Sequence, residues 1–302
     1  MSSTTTTTRD LSLLALLVTV SAWASAFVGI RAVTDSFSPG ALTLGRLLVG
    51  ALALTVLIRP RFSAFTQLRG RTLALVVLYG VTWFGVYNLT LNAAERDLDA
   101  GTTALIINIG PILIALLAGL LMKEGFPRPL MIGMGVAFAG VVLISLSTRH
   151  ESSVATATTT GVILCLIAAV CYAVGALAQK PTLAVLTGPQ SVWLGCVIGA
   201  VVALPFAPQL VRQIGDAPAG DIGWMVYLGV VPTAIGFTTW AYAMRRLTVG
   251  QVASTTYLVP AIATGLSWLL LDEVPAGLAF VGGGLCLLGV AITRWRRRTA
   301  TA

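Results

Sequence analysis

Apolar runs broken by short polar loops repeat along the whole 302-residue chain. Each is long enough, at about 20 residues, to cross a hydrocarbon core of roughly 30 Å as a helix, the form in which a lipid-exposed segment satisfies its own backbone hydrogen bonds. The pattern predicts spans over 11–30, 39–58, 72–92, 101–122, 129–147, 160–179, 189–207, 222–243, 250–271 and 276–294. Nearly all Lys, Arg, Asp and Glu fall between or at the ends of these runs, and no stretch is left for a soluble domain.

The polar segments set the orientation. With the N-terminus inside, fourteen cations are cytoplasmic (Arg9, Arg59, Arg61, Arg69, Arg71, Lys123, Arg128, Lys180, Arg245, Arg246, Arg294, Arg296, Arg297 and Arg298) and four are outside (Arg31, Arg96, Arg149 and Arg212). That asymmetry follows the positive-inside rule and places both termini in the cytoplasm. Residues 1–10, rich in Ser and Thr, are predicted to be disordered, 149–159 to be a polar linker, and 295–302 to be a basic tail. The net charge of +8 is spread as ones and twos over helix ends, so it reads as topology and not as a nucleic-acid face.

An internal repeat explains the count. An offset of 149 residues lays Gly101 on Gly250, Pro111 on Pro260, Glu124 on Glu273, Gly80 on Gly229, and Gly133 and Gly140 on Gly282 and Gly289. Two halves of five helices, 11–148 and 160–294, must then enter the membrane from opposite sides, as inverted repeats of secondary transporters do. The same offset pairs Trp23 with Tyr172, Ala26 with Gly175 and Arg31 with Lys180, so the first apolar run is a span with an internal counterpart and not a cleaved signal peptide.

These residues resemble the EamA family of the drug/metabolite transporter superfamily. The resemblance lies in Trp23-Ala24-Ser25-Ala26-Phe27 with a cation at Arg31, in Arg46 on the second span, and in two copies of Pro followed thirteen residues on by Glu, "PILIALLAGLLMKE" and "PAIATGLSWLLLDE". Ala24, where the family usually has Gly, and Lys123, before the first Glu, depart from the pattern. The resemblance implies an all-α membrane protein of ten helices in two inverted halves around a central cavity, carrying small metabolites, often amino acids, frequently outward.

Candidate pathway residues follow from position. Pro111 and Pro260 near the middle of their spans are predicted kinks that free the carbonyls of Ile107 and Thr256. Asn108, Thr256 and Tyr257 beside them are candidate cavity groups. Tyr79, Trp83 and Tyr87 are spaced four apart and predicted to share one helical face, flanked by Asn88 and Asn92, as either a pathway lining or packing. Trp240 with Phe237 sits in the corresponding region of span eight, and Trp23 with Tyr172 forms a candidate aromatic pair across the repeats. Arg46, inside a span, should face the bundle interior, either to bind a substrate carboxylate or to make a structural bond to backbone carbonyls or an asparagine.

Arg31 and Lys180 at opposite faces are candidate gating or snorkelling cations, and Glu124 and Glu273 are predicted to be structural, starting the next helix or pairing locally. All eleven carboxylates lie in loops or at span ends and the single His150 in the linker, so no mid-membrane proton carrier is visible. There is no P-loop, no nucleophile cluster and no metal-ligand spacing; no cofactor is expected. The expectation is a secondary, alternating-access transporter of small metabolites in the bacterial inner membrane, an amino-acid exporter ahead of a broad drug or cation exporter. Its partners are substrate and lipid bilayer, with no nucleic acid, and nothing requires a dimer because two fused repeats already complete a symmetric unit.

Overall fold

A computed structural model describes residues 3–58, 68–98, 103, 106–148, 159–271 and 277–293. Glu273, the linker except Thr159, and the tail 295–302 lie outside the described residues. The described chain is helical: α1 (Ser3–Ala32), α2 (Pro39–Ile58), α3 (Gly70–Asp97), α4 (Ile109–Leu121), α5 (Arg128–Thr148), α6 (Thr159–Thr182), α7 (Gly188–Asp216), α8 (Ala219–Met244), α9 (Val249–Thr255), α10 (Leu258–Leu271) and α11 (Gly277–Thr293). Among the described residues six of these, α1, α2, α3, α6, α7 and α8, are long and apolar enough to cross a membrane, and α4, α5 and α11 contain shorter apolar helices. Side chains such as Leu52, Leu57, Leu121 and Leu269 stand exposed on the outer faces, as lipid-facing positions require.

Three local features depart from the sequence pattern. α1 begins at Ser3, inside the stretch predicted to be disordered, because extending an existing helix adds one hydrogen bond per residue without a new nucleation cost. α7 passes through a 3₁₀ turn at Leu204–Phe206 and continues as an amphipathic segment to Asp216 where a loop was expected. Gln209 and Gln213 on that segment hold the α1–α2 connection, accepting from the Ser38 hydroxyl at 2.7 Å and the Ser38 N–H at 2.9 Å.

The repeat is visible in the packing. α3 and α8 each carry a π-helical turn, Gly80–Val86 and Gly229–Gly236, and the two turns start on repeat-related glycines. α2 packs on the π-turn of α8 through Gly50 and Gly229, while α7 packs on the π-turn of α3 through Gly199 and Gly80, so each half's second helix grips the other half's third. α5 and α11 cross antiparallel: Gly133 faces Gly289 and Gly140 faces Gly282. At the crossing point Ala137 accepts a bond of 3.5 Å from the thiol of Cys286, its own repeat counterpart.

Candidate substrate cavity

A cavity of about 80 Å³ lies between the halves. Its lining is aromatic at Trp23, Phe27, Trp83, Tyr172 and Phe237 and carries the polar groups Arg46, Asn88, Glu95, Asn108 and Thr256. Pro111 and Pro260 border it from two broken helices.

The breaks follow from the prolines. Pro111 and Pro260 each stand third in α4 and α10, where a missing N–H leaves no intrahelical bond unmade, and the chain before each departs from the helix, at Asn108 and at Thr256–Tyr257. The prolines therefore begin helices and do not kink continuous ones. The carbonyl of Thr256, expected to be free, accepts from the Val259 N–H at 2.9 Å because the chain tightens across the break. The Thr256 hydroxyl donates to the Ala253 carbonyl at 2.7 Å.

Arg46 is buried, with its partner on α8. Its Nε and Nη2 donate to the Thr233 hydroxyl at 3.2 and 3.1 Å, and that hydroxyl donates to the Leu228 carbonyl at 2.8 Å. A π-turn widens the helix by one residue per turn, so the Thr233 hydroxyl reaches back five residues to Leu228 while its oxygen stays available to Arg46. Asn88 does the same service on α3, donating to the carbonyls of Trp83 at 3.2 Å and Phe84 at 2.9 Å. Thr233 within one π-turn and Asn88 just beyond the other thus satisfy backbone carbonyls that the turns leave open.

Trp23 joins the aromatic groups. Its indole N–H donates to the Pro232 carbonyl at 3.2 Å, and its ring lies 6.4 Å from Tyr172 edge-on, 6.2 Å from Trp83 and 5.1 Å from Phe237. The expected Trp23–Tyr172 pair is therefore in place. Tyr87 lines the cavity 6.1 Å from Tyr172, whose hydroxyl is buried with no hydrogen-bond partner among the described residues.

Three expected pathway residues sit elsewhere. Tyr79 is fully buried away from the cavity, donating to the Ser191 carbonyl at 2.8 Å and accepting from the Ser191 hydroxyl at 3.1 Å. The π-turn between Tyr79 and Tyr87 breaks the α-helical register that placed them on one face. Trp240 packs behind the lining, 5.1 Å from Trp23, because Phe237 occupies the lining position on α8. Tyr257, at the break before α10, turns toward Phe138 and Cys286 in the α5–α11 core.

The charged residues at the helix ends are unequal. Lys180 donates to the carbonyls of Met244 and, at 2.8 Å, Leu247. Glu124 accepts from the N–H groups of Val249 at 2.9 Å and Gly250 at 3.3 Å, capping α9 where the helix dipole favours an anion. Arg31, the counterpart of Lys180, is exposed and makes no side-chain hydrogen bond among the described residues. Sequence reading missed Glu95, which it placed at a span end; on α3 it lines the cavity, and both carboxylate oxygens are buried without a hydrogen-bond partner among the described residues. It also missed Thr233, whose pairing with Arg46 depends on a π-turn that carries no periodicity signal.

The comparisons agree with this architecture. A family model described as "EamA-like transporter family" matches residues 10–146 and 159–295. The chain is 36% identical over 291 residues, 95% of its length and 96% of the relative's, to a probable terminal-alkyne amino-acid exporter of Streptantibioticus cattleyicolor. It is 26% identical to a probable amino-acid metabolite efflux pump of Escherichia coli K12, covering 96% of this chain and 97% of that one. A solved crystal structure matches with a TM-score of 0.75 at 21% identity over 96% of both chains, a likeness of fold alone.

Proposed function

Because the chain belongs to the EamA-like transporter family and is a membrane transporter, not an enzyme, we propose that it exports an amino acid or related zwitterionic metabolite across the bacterial inner membrane. The observation that carries this reading is a cavity whose lining joins aromatic side chains to Arg46, whose fork suits a carboxylate. The relatives named as amino-acid exporters support it. Arg46 also weighs against a simple cation exporter, even though Glu95 supplies the carboxylate such an exporter would need.

The mechanism proposed is alternating access between ten spans in two inverted halves. Antiparallel packing of α5 on α11 through repeat-related glycines supports the inversion. Counterpart ties at the two faces support a mechanism that opens them in turn: Lys180 and Glu124 tie α6 and the end of α4 to the α8–α9 connection, and at the opposite face Arg96 on α3 donates to the Thr34 and Phe37 carbonyls of the α1–α2 connection. The cavity reaches Ile30, Leu91 and Glu95, toward the Arg31 end. With the N-terminus cytoplasmic, that is the outer face.

Uptake of a labelled amino-acid panel into liposomes holding the purified protein, with and without a pH gradient, tests the reading. Saturable movement of at least one amino acid is expected. Movement of organic cations alone would replace it with the drug-exporter reading.

A further inference from the structure

Resting on the zwitterion reading above, we propose that Glu95 is the residue that recognises the substrate's ammonium group, opposite Arg46 as the pole for its carboxylate. Both residues line one cavity, from α3 and α2, and its aromatic lining suits an apolar side chain. Glu95 is the lining carboxylate among the described residues.

Arg31 and Arg46 are the cations whose charge acts on this carboxylate, and neither hydrogen-bonds it. Among the described residues neither oxygen has a hydrogen-bond partner, and both are shut off from the surface. A helix can satisfy its own backbone, but it cannot satisfy a side-chain carboxylate, and burying one unpaired is costly. Arg46 spends two donors on Thr233, which fixes the guanidinium plane. One cavity thus carries two opposite charges that do not hydrogen-bond each other, the arrangement a ligand with both charges completes. Asn88, also on the lining, spends its amide N–H groups on the carbonyls of Trp83 and Phe84, which leaves its amide oxygen as a neutral acceptor beside the charged Glu95.

Counterflow in proteoliposomes with three matched probes tests this: L-leucine, isopentylamine, which lacks the carboxylate, and 4-methylpentanoate, which lacks the ammonium. Should the panel select another apolar amino acid, its own amine and acid take their place. Glu95→Gln is expected to raise KM for the amino acid about tenfold, as loss of a charged hydrogen bond does, and to leave movement of the acid probe unchanged or raised. Glu95→Asp should keep the preference for the amino acid over the acid. Equal KM in wild type and Glu95→Gln overturns the proposal and leaves amino-acid transport standing. So does an equal loss of amino acid and acid, which assigns Glu95 to structure, or an unchanged KM with loss only of pH-gradient coupling, which assigns it to protons. Absence of any amino-acid movement in wild type sinks the parent reading instead.

Discussion

Gly140 on α5 and Gly282 on α11 approach so closely that a Cβ added to Gly140 would lie 2.5 Å from the Gly282 carbonyl oxygen, and one added to Gly282 would lie 2.6 Å from the Gly140 carbonyl oxygen. Gly133 and Gly289 repeat the relationship seven residues along, at 2.5 Å in both directions. Small residues that let backbones meet are how helices associate where lipid removes the hydrophobic driving force.

Gly140→Ala should therefore force the α5–α11 crossing apart. The expected loss is about 1–3 kcal/mol, the usual cost of overpacking, read as a lower unfolding temperature in detergent. Gly135, one turn away on α5, has nothing within 4 Å of a built Cβ. Gly135→Ala should hold or raise stability by roughly 0.5–1 kcal/mol through better helix propensity. Equal shifts for the two would show that the close approach does not hold the helices together.

Thr233→Val keeps the shape of the side chain and removes the acceptor for Arg46 Nε and Nη2. A buried guanidinium left short of acceptors costs about 1–3 kcal/mol, so both stability and apparent substrate affinity should fall. Thr233→Ser, which keeps the hydroxyl, should restore both. A Thr233→Val protein indistinguishable from wild type would mean that Arg46 is held by something other than α8.

The sequence told most about the fold and least about which face each side chain takes. The 149-residue offset located Gly80 and Gly229, Trp23 and Tyr172, and the proline pair, because repeat symmetry is written directly in residue identity. Tyr79 is expected on one face with Trp83 and Tyr87, as lining or packing, because an α-helix advances roughly 100° per residue and four-residue spacing then shares a face. The π-turn at Gly80–Val86 adds a residue and rotates that face, and no periodicity in "GVTWFGV" announces it. Glu95 was hidden for another reason: counting charges at span ends treats a carboxylate there as solvated, whereas α3 runs on to Asp97 and turns Glu95 inward.

Lys180→Met should loosen one face of the molecule. It leaves the Met244 and Leu247 carbonyls without their cation, so amide exchange over 245–250 should quicken as that connection opens more often. Arg31→Met, at the position where no such bond is made, should leave exchange there unchanged. Glu124→Gln keeps one acceptor oxygen for the α9 amides and should disturb the same segment less than Glu124→Ala. If Lys180→Met leaves 245–250 protected, the lysine is only snorkelling.

Three tyrosines separate packing from pathway, because each hydroxyl has a different situation. The Tyr79 hydroxyl bonds Ser191 away from the cavity, so Tyr79→Phe should cost about 0.5–1.5 kcal/mol of stability and leave KM alone. The Tyr172 hydroxyl is buried on the cavity wall beside Thr256 and makes no hydrogen bond among the described residues, so Tyr172→Phe should not lower stability, yet should raise KM roughly two- to tenfold if substrate completes that bond. The Tyr257 hydroxyl is equally unpartnered but lies off the cavity. Tyr257→Phe should therefore change neither quantity. Thermal unfolding and transport KM measured on the three variants give a pattern that general destabilisation cannot imitate, since the variant expected to lose affinity is one expected to keep its fold. A KM shift in Tyr257→Phe that matches Tyr172→Phe would detach substrate contact from the cavity wall described here.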